Sequence, residues 1–122
     1  MSARPTVLLC DDSRALRMLT TRQLEEAGFS VVGEAGNGLE AVERYQALKP
    51  DLVLLDLVMP ECDGKRALAL ILEQDPQARI VILSSLGAQN DIEECLRAGA
   101  RSYLQKPIDP ATMDRVLRAA IA

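Results

Sequence analysis

The feature that most constrains this chain is an alternation. Short apolar runs rich in β-formers, at 6–10, 30–34, 52–55, 79–83 and 101–104, take turns with segments of helical periodicity. The first, third and fourth runs are nearly all apolar, which suits the interior of a parallel sheet covered by helices on both faces. The second and fifth are more mixed and suit sheet edges. The pattern predicts a doubly wound α/β domain with a five-stranded parallel sheet and five helices.

The helical segments carry their own punctuation. Residues 14–27 place Leu16, Leu19, Thr20, Leu24 and Ala27 near one face, and Gly28 follows where a left-handed cap is expected. Leu39, Val42, Tyr45 and Leu48 mark a second helix, opened by Asn37-Gly38 and closed before Pro50. Residues 64–74 and 90–98 give the third and fourth, ended by Pro76 and Gly99. Met113, Val116, Leu117, Ala120 and Ile121 recur at helical spacing after Asp109-Pro110, a pair suited to the N-cap and first helical position.

With 122 residues the chain fits one domain, spanning 1–122. No apolar stretch approaches the roughly 20 residues of a membrane span, and the N-terminus lacks the apolar region of a secretory signal, so a cytoplasmic location is expected. The absence of histidine excludes Cys/His zinc sites and histidine catalysis. Cys10, Cys62 and Cys95 are an odd set far apart, read as reduced packing thiols. A formal charge of -4 leaves no overall cationic surface for nucleic acid.

In open α/β sheets, ligands sit beyond the carboxyl ends of the strands. There the sequence sets Asp11-Asp12-Ser13 after the first strand, Asp56 after the third, Ser84-Ser85 after the fourth and Gln105-Lys106-Pro107 after the fifth. Three carboxylates close together either raise some of their pKa values or share a cation. Such a hard oxygen site suits magnesium or calcium, and a cluster this small suits magnesium better than a cage of six to eight oxygens. Singly, each residue has a plainer reading: Asp12 or Ser13 as a helix cap, Asp56 as a turn cap, Ser84 as a backbone partner, Lys106 as solvated charge. Acid pair, acid, hydroxyl and lysine on four strand ends together make a specific arrangement.

The segments Leu9-Cys10-Asp11-Asp12-Ser13, Leu54-Leu55-Asp56-Leu57-Val58-Met59-Pro60 with Asp63-Gly64, Ile82-Leu83-Ser84-Ser85 and Tyr103-Leu104-Gln105-Lys106-Pro107 resemble, in order and spacing, the motifs of response-regulator receiver domains, most closely the free-standing chemotaxis CheY-like members. The resemblance implies a flavodoxin-like strand order 2-1-3-4-5. It implies that Asp56 accepts a phosphoryl group from a partner histidine kinase or phosphotransfer protein, with Mg2+ held by Asp11, Asp12, Asp56 and the main-chain carbonyl of Val58. Ser84 and Lys106 then contact the phosphoryl group, Ser84 and Tyr103 act as the switch, and the peptide before Pro107 is cis. A downstream protein reads the face formed by the fourth helix, fifth strand and fifth helix, where Arg97 and Arg115 lie. The resemblance also implies a monomer that is a signalling switch and not a turnover enzyme.

Two positions depart from the commonest pattern of that family. Ser84 stands where threonine is frequent, keeping the hydroxyl but losing a methyl that restricts its rotamer. Val58 and Leu86, two residues beyond Asp56 and Ser84, cannot orient a hydrolytic water, so slow self-dephosphorylation is expected. Rival chemistries fit less well. A dinucleotide site needs amides at the first loop, where Asp11-Asp12 would repel phosphate, and the glycine-rich 33–38 segment lacks the G-x-G-x-x-G order. A magnesium-dependent aspartyl phosphatase needs an acid where Val58 stands.

Overall fold

Strands form where the apolar runs lie because both sheet faces are covered, so successive side chains on either face reach a core. The computed structural model describes residues 4–60, 63–85 and 87–122. In chain order the elements are β1 (Thr6–Cys10), α1 (Arg14–Glu26), β2 (Ser30–Ala35), α2 (Gly38–Leu48), β3 (Leu52–Asp56), α3 (Gly64–Gln74), β4 (Ile80–Ser84), α4 (Gln89–Ala98), β5 (Ser102–Gln105) and α5 (Pro110–Ile121). All strand pairs are parallel, in the order β2-β1-β3-β4-β5, with the more mixed β2 and β5 at the edges. Winding reverses between β1 and β3, which opens a crevice at their carboxyl ends.

Alternate residues of the central strands feed two separate cores. Leu8, Cys10, Val53, Leu55, Ile80 and Ile82 pack under α2, α3 and α4 with Tyr45, Ala67, Leu68 and Ile71. Val7, Leu9, Leu52, Leu54, Val81 and Leu83 pack under α1 and α5 with Leu24, Phe29, Met113 and Leu117. Cys10 and Cys95 are buried free thiols, and burial pushes the Cys10 thiol well up; Cys62 lies outside the described residues.

The helix signals act as read. Asn37, Asp63 and Asp109 each accept an amide of the following turn, and Gly28 takes the left-handed φ of 93° just after α1. Four strands end one residue beyond their apolar runs, because ladder pairing continues through Ala35 opposite Cys10, Asp56 opposite Leu83 and Ser84 opposite Gln105. The expected face of α1 is only partly covered. Thr20 and Leu24 are buried, but Leu16 and Leu19 stay largely exposed, bordering an open cleft with Pro107 and Ile108.

Candidate functional site at the carboxyl rim of the sheet

β1 delivers Asp11 to the rim, its amide donating to the Ala35 carbonyl at 3.0 Å as the last tie to β2. The chain then turns into α1, with Ser13 as N-cap: its side chain accepts from the Leu16 amide, and its own amide donates to Asp11 Oδ1 at 2.9 Å. Ser13 is therefore the cap of α1, whereas Asp12 stays exposed. β3 delivers Asp56, whose Oδ1 accepts from the Val58 amide at 3.1 Å. The α3 N-terminus presses on this turn: Gly64 donates to the Leu57 carbonyl at 3.0 Å, and a Cβ at Gly64 would lie 2.3 Å from the Asp56 carbonyl oxygen.

From the opposite side comes Lys106. Its amide donates to the Ser84 carbonyl at 2.8 Å, the Lys106–Pro107 peptide is cis, and its ammonium reaches Asp56 Oδ2 at 2.7 Å and Asp11 Oδ2 at 2.9 Å. Asp11, Asp56 and Ser84 are all buried. Burial is the main influence on Asp56, lifting its carboxyl above the ordinary value; the hydrogen bonds from Lys106 and Val58 pull the other way, and the Asp11 charge adds to the rise. For Lys106, burial works against the charged form, but the bonds to Asp56 and Asp11 outweigh it and the ammonium is held above its usual pKa.

Two features of this rim call for a ligand. Asp11, Asp12 and Asp56 each offer a carboxylate oxygen within 4.8 Å of the others, a donor set able to hold a hard cation. Ser84 Oγ is buried and, among the described residues, has no hydrogen-bond partner, a state that normally costs free energy unless something binds there.

Every sequence-predicted site residue within the described set except Tyr103 thus lies on this rim. Val58 sits beside Asp56 with its side chain 72 % exposed, and Leu86 lies outside the described residues. Tyr103 stands on β5 at 45 % exposure, outward-facing. Arg97 and Arg115 are exposed on α4 and α5. Sequence reasoning misses Arg17, whose guanidinium holds the Asp11 carbonyl oxygen at 2.5 Å and Glu34 at 2.9 Å. The available signal is a cation near the N-terminus of a helix with no acid in its first turn, a placement the helix dipole disfavours.

A doubly wound sheet with acid pair, acid, hydroxyl and lysine on four strand ends defines a signalling receiver. The family model for the response regulator receiver domain matches residues 7–118, and the chain belongs to that family. It is CheY-like. It is 41% identical to the chemotaxis protein CheY of Thermotoga maritima over 111 residues, covering 91% of this chain and 92% of the relative. The CheY of Bacillus subtilis is 43% identical over 113 residues, covering 93% and 92%. The CheX-CheY-BeF3-Mg complex from Borrelia burgdorferi superposes with a TM-score of 0.93 at 32% identity, covering 98% of this chain and 91% of that one. These likenesses bear out the family and the strand order read from the motifs. No helix among the described residues is long and apolar enough to cross a membrane.

Proposed function

We propose that this receiver takes a phosphoryl group on Asp56 from the phosphohistidine of a histidine kinase or phosphotransfer protein, in a magnesium-dependent reaction, and so changes what its α4-β5-α5 face binds. One observation carries the reading: a buried carboxylate held by Lys106 shares the rim with two further acids and a buried hydroxyl that has no partner among the described residues. No simpler structural role accounts for all four at once.

The donor set fits magnesium, since it is all oxygen and small. Asp11, Asp12, Asp56 and the Val58 main-chain carbonyl would hold Mg2+, which when bound neutralises charge on the phosphoryl oxygens. An Asp56 oxygen forms the new bond to phosphorus as the phosphorus–nitrogen bond breaks and the electron pair leaves with the donor imidazole. The Lys106 ammonium balances negative charge on the transferred group, and the Ser84 hydroxyl donates to one of its oxygens, gaining a partner that it lacks among the described residues.

That new bond draws Ser84 and its loop toward Asp56, favouring a form in which Tyr103 turns inward from its exposed position. A few kcal/mol of differential contact is enough to move a scarce form to dominance. Self-dephosphorylation is slow, because the exposed Val58 side chain carries no group to orient a water. The same reading makes the chain one receiver unit, a cytoplasmic monomer that by itself contacts neither nucleic acid nor membrane.

Mass spectrometry after incubation with a small acyl phosphate and magnesium tests the reading. Wild type gains one phosphoryl group, and Asp56→Asn gains none. Equal labelling of both proteins, or none in either, sinks it.

A further inference from the structure

Arg17 is poorly placed for the helix that carries it. It lies in the first turns of α1, where the dipole favours anions, and that first turn holds no acid; α2 and α4 instead open with Glu40 and Asp91. Its side chain does not lie in solvent, being 18% exposed. It reaches back across the β1-α1 turn, Nη1 donating to the Asp11 carbonyl oxygen at 2.5 Å and Nε to Glu34 Oε1 at 2.9 Å.

The consequence falls on Asp12. Asp11 is fixed on its own account: amide to Ala35, Oδ1 from Ser13, Oδ2 from Lys106. Asp12 has no such ties. Its carboxylate is exposed and makes no hydrogen bond or ion pair among the described residues, so its direction depends on the backbone alone. The peptide that leads into Asp12 is the one whose carbonyl oxygen Arg17 grips, and Glu34 braces Arg17 from the end of β2.

We infer that Arg17 is a positioning residue for the metal-binding acids: its guanidinium fork, spanning the Asp11 carbonyl and the Glu34 carboxylate, sets the pose in which Asp12 meets the cation. The inference rests on the proposed magnesium site. It also has a sign that separates it from simple electrostatics. A nearby positive charge repels a cation, so deleting that charge alone tightens magnesium binding. Deleting a group that orients a ligand weakens it, typically tenfold or more. A merely structural residue alters melting and leaves the affinity where it was.

The test is magnesium titration calorimetry on wild type, Arg17→Met and Arg17→Lys, with thermal melting of each in EDTA. Methionine keeps an unbranched apolar stem over α1 but removes donor and charge; lysine reaches one acceptor at a time and not both. Arg17→Met binds magnesium about tenfold more weakly than wild type, with cooperative melting retained, and Arg17→Lys falls between the two. Unchanged or tighter binding by Arg17→Met overturns the inference. Should that variant fail to fold, Arg17→Lys decides alone, and wild-type affinity in it overturns the inference likewise. No magnesium uptake by wild type removes the metal site itself and this inference with it.

Discussion

A side chain as small as a methyl at position 64 would collide with the reactive turn. Its Cβ would stand 2.3 Å from the Asp56 carbonyl oxygen and 2.6 Å from Leu57 Cα, both backbone atoms that cannot swing aside. Gly64→Ala must therefore lift α3 away from the turn that aims Asp56. The variant loses roughly 2 kcal/mol of stability, as overpacked sites do, and labels more slowly with acyl phosphate; urea melts and single-turnover labelling measure the two effects. Wild-type behaviour in both would mean the α3 start yields more easily than its contacts imply. This dependence is only half legible in the sequence, where Gly64 reads as a motif glycine and helix start without its contact to Asp56. Asp11, Asp56, Ser84 and Lys106 are legible because each ends or follows an apolar run, and a polar group there is carried by the sheet to one rim. Arg17 is not, because its main partner is a carbonyl oxygen, which every residue has.

Elements differ in how firmly they are fastened, and α4 is the loosest of those on the proposed output face. Its N-cap residue is Ala88, which makes no side-chain cap bond, and only Ile92 and Cys95 are buried along its length. What ties it sideways is ionic: Lys65 at the start of α3 reaches Asp91 at 2.5 Å and Glu94 at 3.0 Å, all well exposed. By contrast α5 is capped by Asp109 and anchored by Met113, Leu117 and Ala120. Exposed ion pairs are weak and are screened once the Debye length falls to about 3 Å near 1 M salt. Amide exchange in α4 is accordingly faster in Lys65→Met, and faster in wild type at high salt, while α5 amides keep their rates. Hydrogen exchange read by mass spectrometry resolves the two helices, and equal acceleration in both would show that the ion pairs do not hold α4 selectively. The existence of α4 is legible from its apolar spacing and from Gly99. Its loose attachment is not, since Lys65 is 26 residues from Asp91 in sequence and nothing in either segment announces the pairing.

Over the whole molecule, the division of labour follows from the sheet being buried on both faces. Two apolar cores hold the strands in place with no help from the rim, so charged groups can be gathered at the carboxyl ends without being needed for folding. The two covered faces and the edge places of β2 and β5 are legible because nearly all-apolar runs suit a sheet interior and mixed runs its edges, whereas the strand order follows only from the resemblance to receiver domains. The partial exposure of α1 is not legible, because helical spacing fixes a face without fixing what covers it. One acid of the three then has a purely functional signature. Asp12 is exposed and unpaired among the described residues, so Asp12→Ala leaves metal-free stability within about 0.5 kcal/mol of wild type, as surface changes do. Its loss should appear only when the cation is present. A ligand that binds the folded form at ten times its Kd adds about 1.4 kcal/mol. Wild type therefore gains roughly that much stability from saturating magnesium in denaturant melts, and Asp12→Ala gains little from the same concentration. If both proteins respond alike, Asp12 is no ligand, and the rim holds its cation with Asp11, Asp56 and the Val58 carbonyl.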